Sequence, residues 1–203
     1  MSVVAAVFVD RGSDKPRATR AGRRHGSAGV VGPASELDAI LRPATTGDVD
    51  AIHELITTHL SEGHLLPRTR DEIAAHVHRF VVATLDDEVV ACADLAPLSG
   101  SVAEVRSLIV AERARFGGVG RCLLHELIAR ASTAGFDKLC AFTHSPSYFV
   151  QMGFSIVPHV WVPEKIAKDC RSCAHFRRCG QYAVVLPLAR SRRSDVPLAS
   201  LHG

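Results

Sequence analysis

Apolar residues recur through residues 37–188 with two periods, one typical of amphipathic helices and one typical of buried strands. The three-and-four spacing of Val49, Ile52 and Ile56 predicts a helix that begins near Asp48. The same period predicts further helices over residues 69–78, 119–134 and 145–151. Apolar and β-branched runs predict strands over residues 41–45, 80–85, 89–95, 102–110, 139–142, 153–157 and 182–188.

The two ends of the chain lack this periodicity. Residues 11–35 are rich in glycine, serine, arginine and alanine, so residues 1–36 are predicted to be a disordered extension. A start codon assigned too far upstream is the alternative explanation of this segment. Residues 189–203 are predicted to be a disordered basic tail, which leaves residues 37–188 as one folded domain.

Composition and charge restrict the class of protein. The chain has 203 residues, of which 47% are hydrophobic and 22% charged, enough for one substantial core. The net charge is only +3, much of it lies in the two ends, and aromatic residues are 5%, which argues against nucleic-acid binding. No apolar run reaches the roughly 20 residues of a membrane span, and the first residues lack the basic region of a secretory signal. We therefore expect a cytoplasmic protein with neither a nucleic-acid nor a membrane partner.

A glycine-rich junction between a strand and a helix carries the clearest chemical signal. The strand predicted over residues 102–110 is followed by the sequence RFGGVGR at residues 115–121, where the next helix opens. Such a turn leaves backbone N–H groups at the helix start unpaired, which suits a phosphate group. The three glycines of a dinucleotide fingerprint and the Gly-Lys-Ser/Thr of a Walker loop are both missing. The sequence therefore predicts a phosphorylated cofactor of another kind.

The spacing Arg115-x-x-Gly118-x-Gly120 matches the R/Q-x-x-G-x-G/A signature of the GNAT superfamily of acyl-coenzyme A N-acetyltransferases. With its order of predicted elements, the chain from about residue 40 to residue 188 resembles a GNAT domain. The resemblance implies an α+β fold, a mixed central sheet flanked by helices, and acetyl-coenzyme A (acetyl-CoA) as co-substrate. It also implies the cofactor-binding residues, which are Leu108, Ile109, Val110, Arg115, Phe116, Gly117, Gly118, Val119, Gly120 and Arg121.

Four segments resemble, more narrowly, the acetyltransferase domain of the N-acetylglutamate synthases: residues 65–72, 90–98, 103–108 and 163–179. This resemblance implies a short, stand-alone enzyme that transfers acetyl to the α-amine of L-glutamate by direct attack, the first step of arginine biosynthesis. Two alternatives stay open. One is an acetyltransferase for another amino acid or amine, and the other is a non-catalytic module that binds acetyl-CoA or senses redox state. The sequence does not distinguish a monomer from a homodimer.

The resemblance also indicates side chains that would bind an amino-acid substrate. Two carboxylates need fixed cations, and arginine pairs with a carboxylate in bidentate fashion. Arg68 and Arg70, in the loop between the first two helices, are the expected substrate-binding pair. Arg177, near the last strand, and Ser107, on the central strand, complete the expected substrate-binding set. A solvated surface position is the alternative for each arginine.

Amide formation needs a group that accepts a proton from the substrate amine. Glu104, beside the expected thioester position, is predicted to do so through water, and an ordinary strand-edge charge is the alternative. Many GNAT enzymes use a tyrosine as general acid, but its position is occupied by Phe149, one residue after Tyr148. Either Tyr148 protonates the leaving thiolate from the neighbouring position, or the thiolate leaves without a side-chain acid.

The six cysteines fall into two groups. Three lie on apolar faces and are predicted to be core residues: Cys92, Cys122 and Cys140. The others lie close together with one histidine: Cys170, Cys173, His175 and Cys179. Their spacing suits tetrahedral zinc, but structural zinc sites normally show two separated ligand pairs. The compact cluster therefore favours a packing role with reduced thiols, with zinc binding and redox sensing as alternatives.

Overall fold

The computed structural model describes residues 39–60, 67–173 and 176–188. The described residues form a seven-stranded mixed sheet with the order β1-β2-β3-β4-β5-β7-β6. The strands are β1 (Ile40–Pro43), β2 (Phe80–Leu85), β3 (Glu88–Pro97), β4 (Val102–Val110), β5 (Lys138–Thr143), β6 (Ser155–Val157) and β7 (Tyr182–Pro187). Neighbouring strands are antiparallel except β4 and β5, which are parallel. The ends predicted to be disordered, residues 1–36 and 189–203, lie outside the described residues.

Helices flank this sheet, so the predicted α+β class is confirmed. The α-helices in the described ranges are α1 (Val49–Thr58), α2 (Arg70–Ala75), α3 (Val119–Thr133), α4 (Pro146–Gln151) and α5 (Pro163–Lys168). Helix α2 is shorter than predicted, because a 3-10 turn over Val77–Arg79 leads the chain into β2. The apolar pattern does not predict α5, since six residues are too few to show a helical period. None of the helices in the described parts of the chain has the length and apolarity that a membrane crossing needs.

Both faces of the sheet are covered. Helix α3 packs on one face through three fully buried leucines, Leu123, Leu124 and Leu127. Helices α1 and α2 pack on the other face through Ile52, Ile56 and Ile73. All of β4 is buried, as its nearly continuous apolar run requires. The run is interrupted by Glu104, Arg106 and Ser107, so these polar side chains need partners inside the protein.

Two of the three predicted core cysteines are buried. Cys92 and Cys140 lie in the strands and have no exposed surface. Cys122 is exposed, so its predicted core position is wrong. The buried side chains of α3 include Leu123 and Leu127, which directs Cys122 away from the sheet.

A capping cluster fixes the start of the first helical segment. Asp48 accepts hydrogen bonds from the backbone N–H and the hydroxyl of Thr45, at 2.7 and 2.9 Å. Arg42 on β1 donates two more bonds to the same carboxylate, at 2.8 and 2.7 Å. The hydrogen bonds from Arg42, opposed by burial and helped by Thr45, hold the pKa of Asp48 well below its usual range. The carboxylate therefore ties β1 to α1 in its ionised form.

Candidate functional site

A gap opens in the sheet between β4 and β5. The parallel ladder between these strands ends at the pair Val105 and Ala141. Beyond it, β5 continues beside β7, whereas residues 106–110 of β4 continue beside β3. The two central strands therefore separate, and one edge of the second half of β4 faces the gap.

A bulge in β4 lies where the gap begins. Two residues of β4, Ser107 and Leu108, stand opposite one residue of β3, Ala93. Ser107 has a φ of +49°, which is uncommon for a residue other than glycine. Its buried hydroxyl has no hydrogen-bond partner among the described residues. Because a bulge re-aims the strand that follows it, those backbone N–H groups of residues 108–110 that do not point to β3 are suited to a ligand in the gap.

The glycine-rich turn, residues 115–121, leads from the 3-10 turn after β4 (Glu112–Ala114) into the start of α3. Gly118 has a φ of +78°, and nothing lies within 4 Å of an added Cβ, so the backbone conformation requires glycine there. The first bond of the helix runs from the Cys122 N–H to the Gly118 carbonyl at 3.0 Å. The N–H groups of residues 119–121 precede that bond, at the positive end of the helix dipole. The turn is therefore an anion site on the backbone.

The residues predicted to bind cofactor thus occupy two neighbouring features, the bulged end of β4 and the glycine-rich turn. Arg115 folds back, and its Nε donates to the Val110 carbonyl at 3.1 Å. Phe116 is 72% exposed and has a φ of +68°, so its side chain projects from the turn. The contacts of these residues with a cofactor stay predictions.

Tyr148, on α4, packs against the start of α3. Its ring is buried and meets the Phe149 ring edge-on, with 5.4 Å between centroids. Burial raises the pKa of Tyr148, and the charges that act on its hydroxyl are those of Cys122 and Arg121. The hydroxyl therefore keeps its proton and lies near the first turn of α3, and its action as a general acid stays a prediction. Phe149 itself is fully buried and packs on Phe154.

An ion-pair ring of four charged residues lies on the face of the sheet opposite α3. Glu104 Oε2 accepts from Arg106 Nε at 2.6 Å and from Lys165 Nζ at 2.9 Å, and Lys165 Nζ lies 2.7 Å from Oε1. Asp169 Oδ2 accepts from Lys165 Nζ at 2.9 Å and from Arg106 Nη2. The ring therefore joins β4 to α5 with two carboxylates and two cations.

The ring borders the gap in the sheet. Lys165 Nζ lies 5.3 Å from the centroid of the Phe142 ring, and Phe142 is the first residue of β5 beyond its last pair with β4. Burial lowers the pKa of Arg106, but the charges of Glu104 and Asp169 outweigh it, so the net shift is upward. Arg106 is therefore a permanent cation beside the gap.

Glu104, the predicted proton acceptor, is fully buried inside this ring. The alternative of a strand-edge charge is wrong, because β4 is the central strand of seven. Solvent does not touch the Glu104 side chain, whose contacts in the ring are Arg106 and Lys165. Its action as a base stays a prediction.

Arg68 and Arg70 lie on either side of the residue that caps α2. Thr69 Oγ1 accepts from the Glu72 N–H at 3.2 Å, and Glu72 accepts from the Thr69 N–H at 3.0 Å. This capping box fixes the direction in which the chain enters the helix. Arg68 consequently lies inside the protein, whereas Arg70 lies on the surface.

The buried arginine already has a partner. Arg68 Nη1 lies 3.0 Å from Asp94 Oδ2, and its guanidinium stands 5.7 Å from the centroid of the Phe80 ring. Burial raises the pKa of Asp94, despite the lowering effect of the charges on Arg68 and Arg106. Asp94 stands opposite Arg106 in the register of β3 and β4, so this pair adjoins the ion-pair ring.

A shallow depression of about 520 Å³ is lined by His53 and residues 67–72. Arg70 contributes to it and is 61% exposed, with one salt bridge of 2.7 Å to Asp50, which is 83% exposed. Exposed pairs of this kind contribute little free energy, so Arg70 can exchange Asp50 for the carboxylate of a ligand. Of the two predicted arginines, Arg70 is therefore the one available for a ligand.

The remaining predicted site residues lie near the C-terminal strand. The backbone of Arg177 belongs to a 3-10 turn, Phe176–Arg178, but its side chain lies outside the described part of the structure. Among the described cysteines of the cluster, Cys170 and Cys173 are half-buried and Cys179 is exposed. Within the described ranges, no three histidine, cysteine or acidic side chains form a metal-binding group. His175 lies outside these ranges.

Sequence reasoning missed the partners of Glu104. Lys165 and Asp169 lie about 60 residues further along the chain, in a helix that the apolar pattern does not predict. One signal was present: Glu104 and Arg106 fall on the same face of an otherwise apolar strand. Two charges buried in this way need charged partners from another element.

Comparisons with known proteins agree with this geometry. The model of the acetyltransferase (GNAT) family matches residues 49–154, just over half of the chain. An uncharacterized N-acetyltransferase of Chlorobaculum tepidum is 31% identical over 151 residues, which are 74% of this chain and 97% of that protein. The amino-acid acetyltransferase of Neisseria meningitidis serogroup A is 31% identical over 141 residues, which cover 68% of this chain.

A solved structure is also similar. The N-acetylglutamate synthase of Neisseria gonorrhoeae, complexed with coenzyme A and N-acetyl-glutamate, superposes with a TM-score of 0.69 at 29% identity and covers 77% of this chain. The chain spans about a third of the length of both Neisseria proteins, 32% and 37%. The match to the GNAT model and to nearly the full length of the Chlorobaculum protein shows the family. The chain is an N-acetyltransferase of the GNAT family, with a fold that binds coenzyme A in its relatives.

Proposed function

We propose that the protein transfers the acetyl group of acetyl-CoA to the α-amine of L-glutamate, which is the first step of arginine biosynthesis. The observation that carries this proposal is the depression lined by Arg70 and its neighbours, which offers an exchangeable cation to a substrate carboxylate. The similarity to N-acetylglutamate synthase supports the same substrate.

The cofactor side of the site fits acetyl-CoA. The N–H groups of residues 119–121 would bind the pyrophosphate, because they are donors at the positive end of a helix dipole. The N–H groups of residues 108–110 would bind the thioester carbonyl and the oxyanion that forms from it. Removing one such donor costs about 3–4 kcal/mol in typical acyl-transfer enzymes. Bound acetyl-CoA supplies a thioester, whose carbonyl carbon is open to direct attack.

The reaction would run in one displacement. The substrate amine attacks the carbonyl carbon, the C–N bond forms, and the C–S bond breaks. The proton that the amine loses passes to Glu104, directly or through water. Tyr148 holds a proton near the start of α3 and would give it to the coenzyme A thiolate.

The acceptor is tested by pairing L-glutamate with L-glutamine, which has the same shape but lacks the side-chain carboxylate. Release of free coenzyme A thiol is followed with the purified full chain, saturating acetyl-CoA, and a panel that also includes L-aspartate and spermidine. We expect kcat/KM for L-glutamate to exceed that for L-glutamine by about 10- to 100-fold, as for a hydrogen bond between charged groups. Equal rates, or a preference for spermidine, would overturn the proposed acceptor while leaving the family unchanged.

A further inference from the structure

Lys165 is the most deeply buried cation of the described residues. Its side chain has no exposed surface, and its Nζ contacts two carboxylates, Glu104 and Asp169. Burying an ammonium group is costly unless it is paired, and replacing such pairs by apolar residues is often neutral or stabilising. Stability alone therefore does not explain why the ring places two cations and two carboxylates at this position.

The location of the ion-pair ring beside the gap suggests a role in the reaction. The ring lies at the end of the ladder between β4 and β5, beside Phe142, where the gap opens. Only Arg106 and Asp169 are partly exposed, at 10% and 12% of their side chains. The ring holds Glu104 from two sides, since Arg106 donates from β4 and Lys165 donates from α5. Such contacts fix the direction in which the carboxylate points.

We propose that Lys165 and Asp169 are positioning residues. They hold the Glu104 carboxylate ionised and oriented so that it accepts the proton that the substrate amine loses. Lys165 favours the ionised carboxylate, because it is an opposite charge in direct contact. Asp169 favours the protonated form of Glu104, because Asp169 is a second negative charge that pairs with the same two cations. Lys165 on α5 and Asp169 just after it thus act on the reaction through Glu104.

Several other groups act on Glu104, and none of them is changed in the test below. On β4 it contacts Arg106, which in turn faces Asp94 on β3. On β5 the thiol of Cys140 feels the charge of Glu104, and burial followed by this charge raises the pKa of Cys140. Glu164, on α5, acts on the same thiol. Cys140 therefore stays neutral over the pH range of the test.

The test compares the pH dependence of kcat in two variants that remove opposite charges from the ring. In Lys165→Met, we expect the acidic limb of the kcat profile to move to higher pH, by about one unit or more. In Asp169→Asn, we expect the limb to move to lower pH, because two cations then act on Glu104 alone. Both variants should also lose about 10-fold or more in kcat, because Glu104 is no longer held from both sides.

Lys168→Met is the matched control. It removes the same charge from the same helix, but Lys168 is exposed and donates to the Pro97 carbonyl at 2.6 Å rather than to a carboxylate of the ring. Its kcat profile should coincide with that of the unchanged protein. Acetyl-CoA affinity, measured by calorimetry, should be the same in all four proteins, which shows that the variants are folded.

Opposite shifts of the limb support the proposal. Profiles that coincide in all four proteins overturn it. A shift of the acidic limb in the same direction for both ring variants also overturns it, because the effect of a merely structural role does not depend on the sign of the charge. If Lys165→Met does not fold, Asp169→Asn decides alone, since Asp169 is partly exposed and asparagine has the same shape. The proposal rests on acetyl transfer but not on glutamate, so the profiles are measured with whichever acceptor the unchanged protein uses.

Discussion

The cofactor and acceptor sides of the proposed site differ in the groups that form them: backbone groups on one side and charged side chains on the other. On the proposed cofactor side, the bulge at Ser107 and the turn at Gly118 present backbone N–H groups. On the proposed acceptor side, charged side chains form ion pairs, some of them buried on β3, β4 and α5 and one exposed at Arg70 in the depression. A backbone site depends on φ and ψ and tolerates many side chains, whereas a side-chain site depends on the identity of each partner. Under the proposed function, backbone conformation would therefore bind the cofactor, whereas particular side chains would select the acceptor.

The largest effect should come from the carboxylate at the centre of the acceptor side. In Glu104→Gln, we expect kcat to fall by about 10²- to 10⁴-fold, the usual contribution of a general base. Affinity for acetyl-CoA should not change, since Glu104 lies on the opposite face from α3. Steady-state kinetics and calorimetry measure the two quantities. Glu126→Gln, on the surface of α3, is the control and should keep its activity. A Glu104→Gln variant with normal kcat would show that Glu104 is not the proton acceptor.

The glycine-rich turn can be disrupted by replacing Gly118. In Gly118→Ala, the φ of +78° becomes unfavourable by about 1–2 kcal/mol, so the turn relaxes in the free protein. We expect acetyl-CoA to bind about 5- to 30-fold more weakly, while kcat at saturating acetyl-CoA stays within a factor of about 2.

Gly100→Ala is the matched control for this variant. Gly100 lies in the turn between β3 and β4, without a positive φ and with open space around its Cβ position. Its acetyl-CoA affinity should be unchanged. Equal affinity in both glycine variants would contradict a site that depends on backbone conformation.

The smallest effect on activity should come from the other charged cluster, around Asp48, which sharpens the contrast between structural and catalytic ion pairs. We expect Asp48→Asn to unfold about 3 °C lower at pH 7, a loss of about 1 kcal/mol, with unchanged kcat. Because the folded-state pKa of Asp48 is lowered, its stabilisation is present above about pH 4 and is lost as the pH falls below that value. Thermal unfolding at several pH values should therefore show the two proteins converge toward pH 2. A difference that grows in acid would contradict this role.

The sequence predicts the two sides of the site unequally, for the same physical reason. The glycine-rich turn is local, so seven consecutive residues contain its chemistry and the apolar strand before it gives its place in the fold. The ion-pair ring joins residues about 60 positions apart, and no local pattern indicates which charges will meet. The buried position of Arg68 likewise depends on Asp94, a residue of a different element.

Most elements of the fold can be predicted from local sequence patterns. Alternating and continuous apolar runs predict the strands, because each strand buries at least one face. The departures occur where elements are short or meet a neighbour. The second helix stops early because its chain must turn into Phe80 at the start of β2, and α5 consists of six residues.

The most direct test of the account is the ratio of kcat/KM for L-glutamate to kcat/KM for L-glutamine, in the unchanged protein and in Arg70→Ala. The control is Arg130→Ala, which changes a half-buried arginine near the far end of α3 that pairs with Glu126. The account predicts a high ratio in the unchanged protein and the control, and a ratio about 10-fold lower or more in Arg70→Ala, because only the carboxylate substrate loses a charged partner. A ratio that Arg70→Ala leaves unchanged would contradict the claim that the acceptor is selected by side-chain charge at this depression.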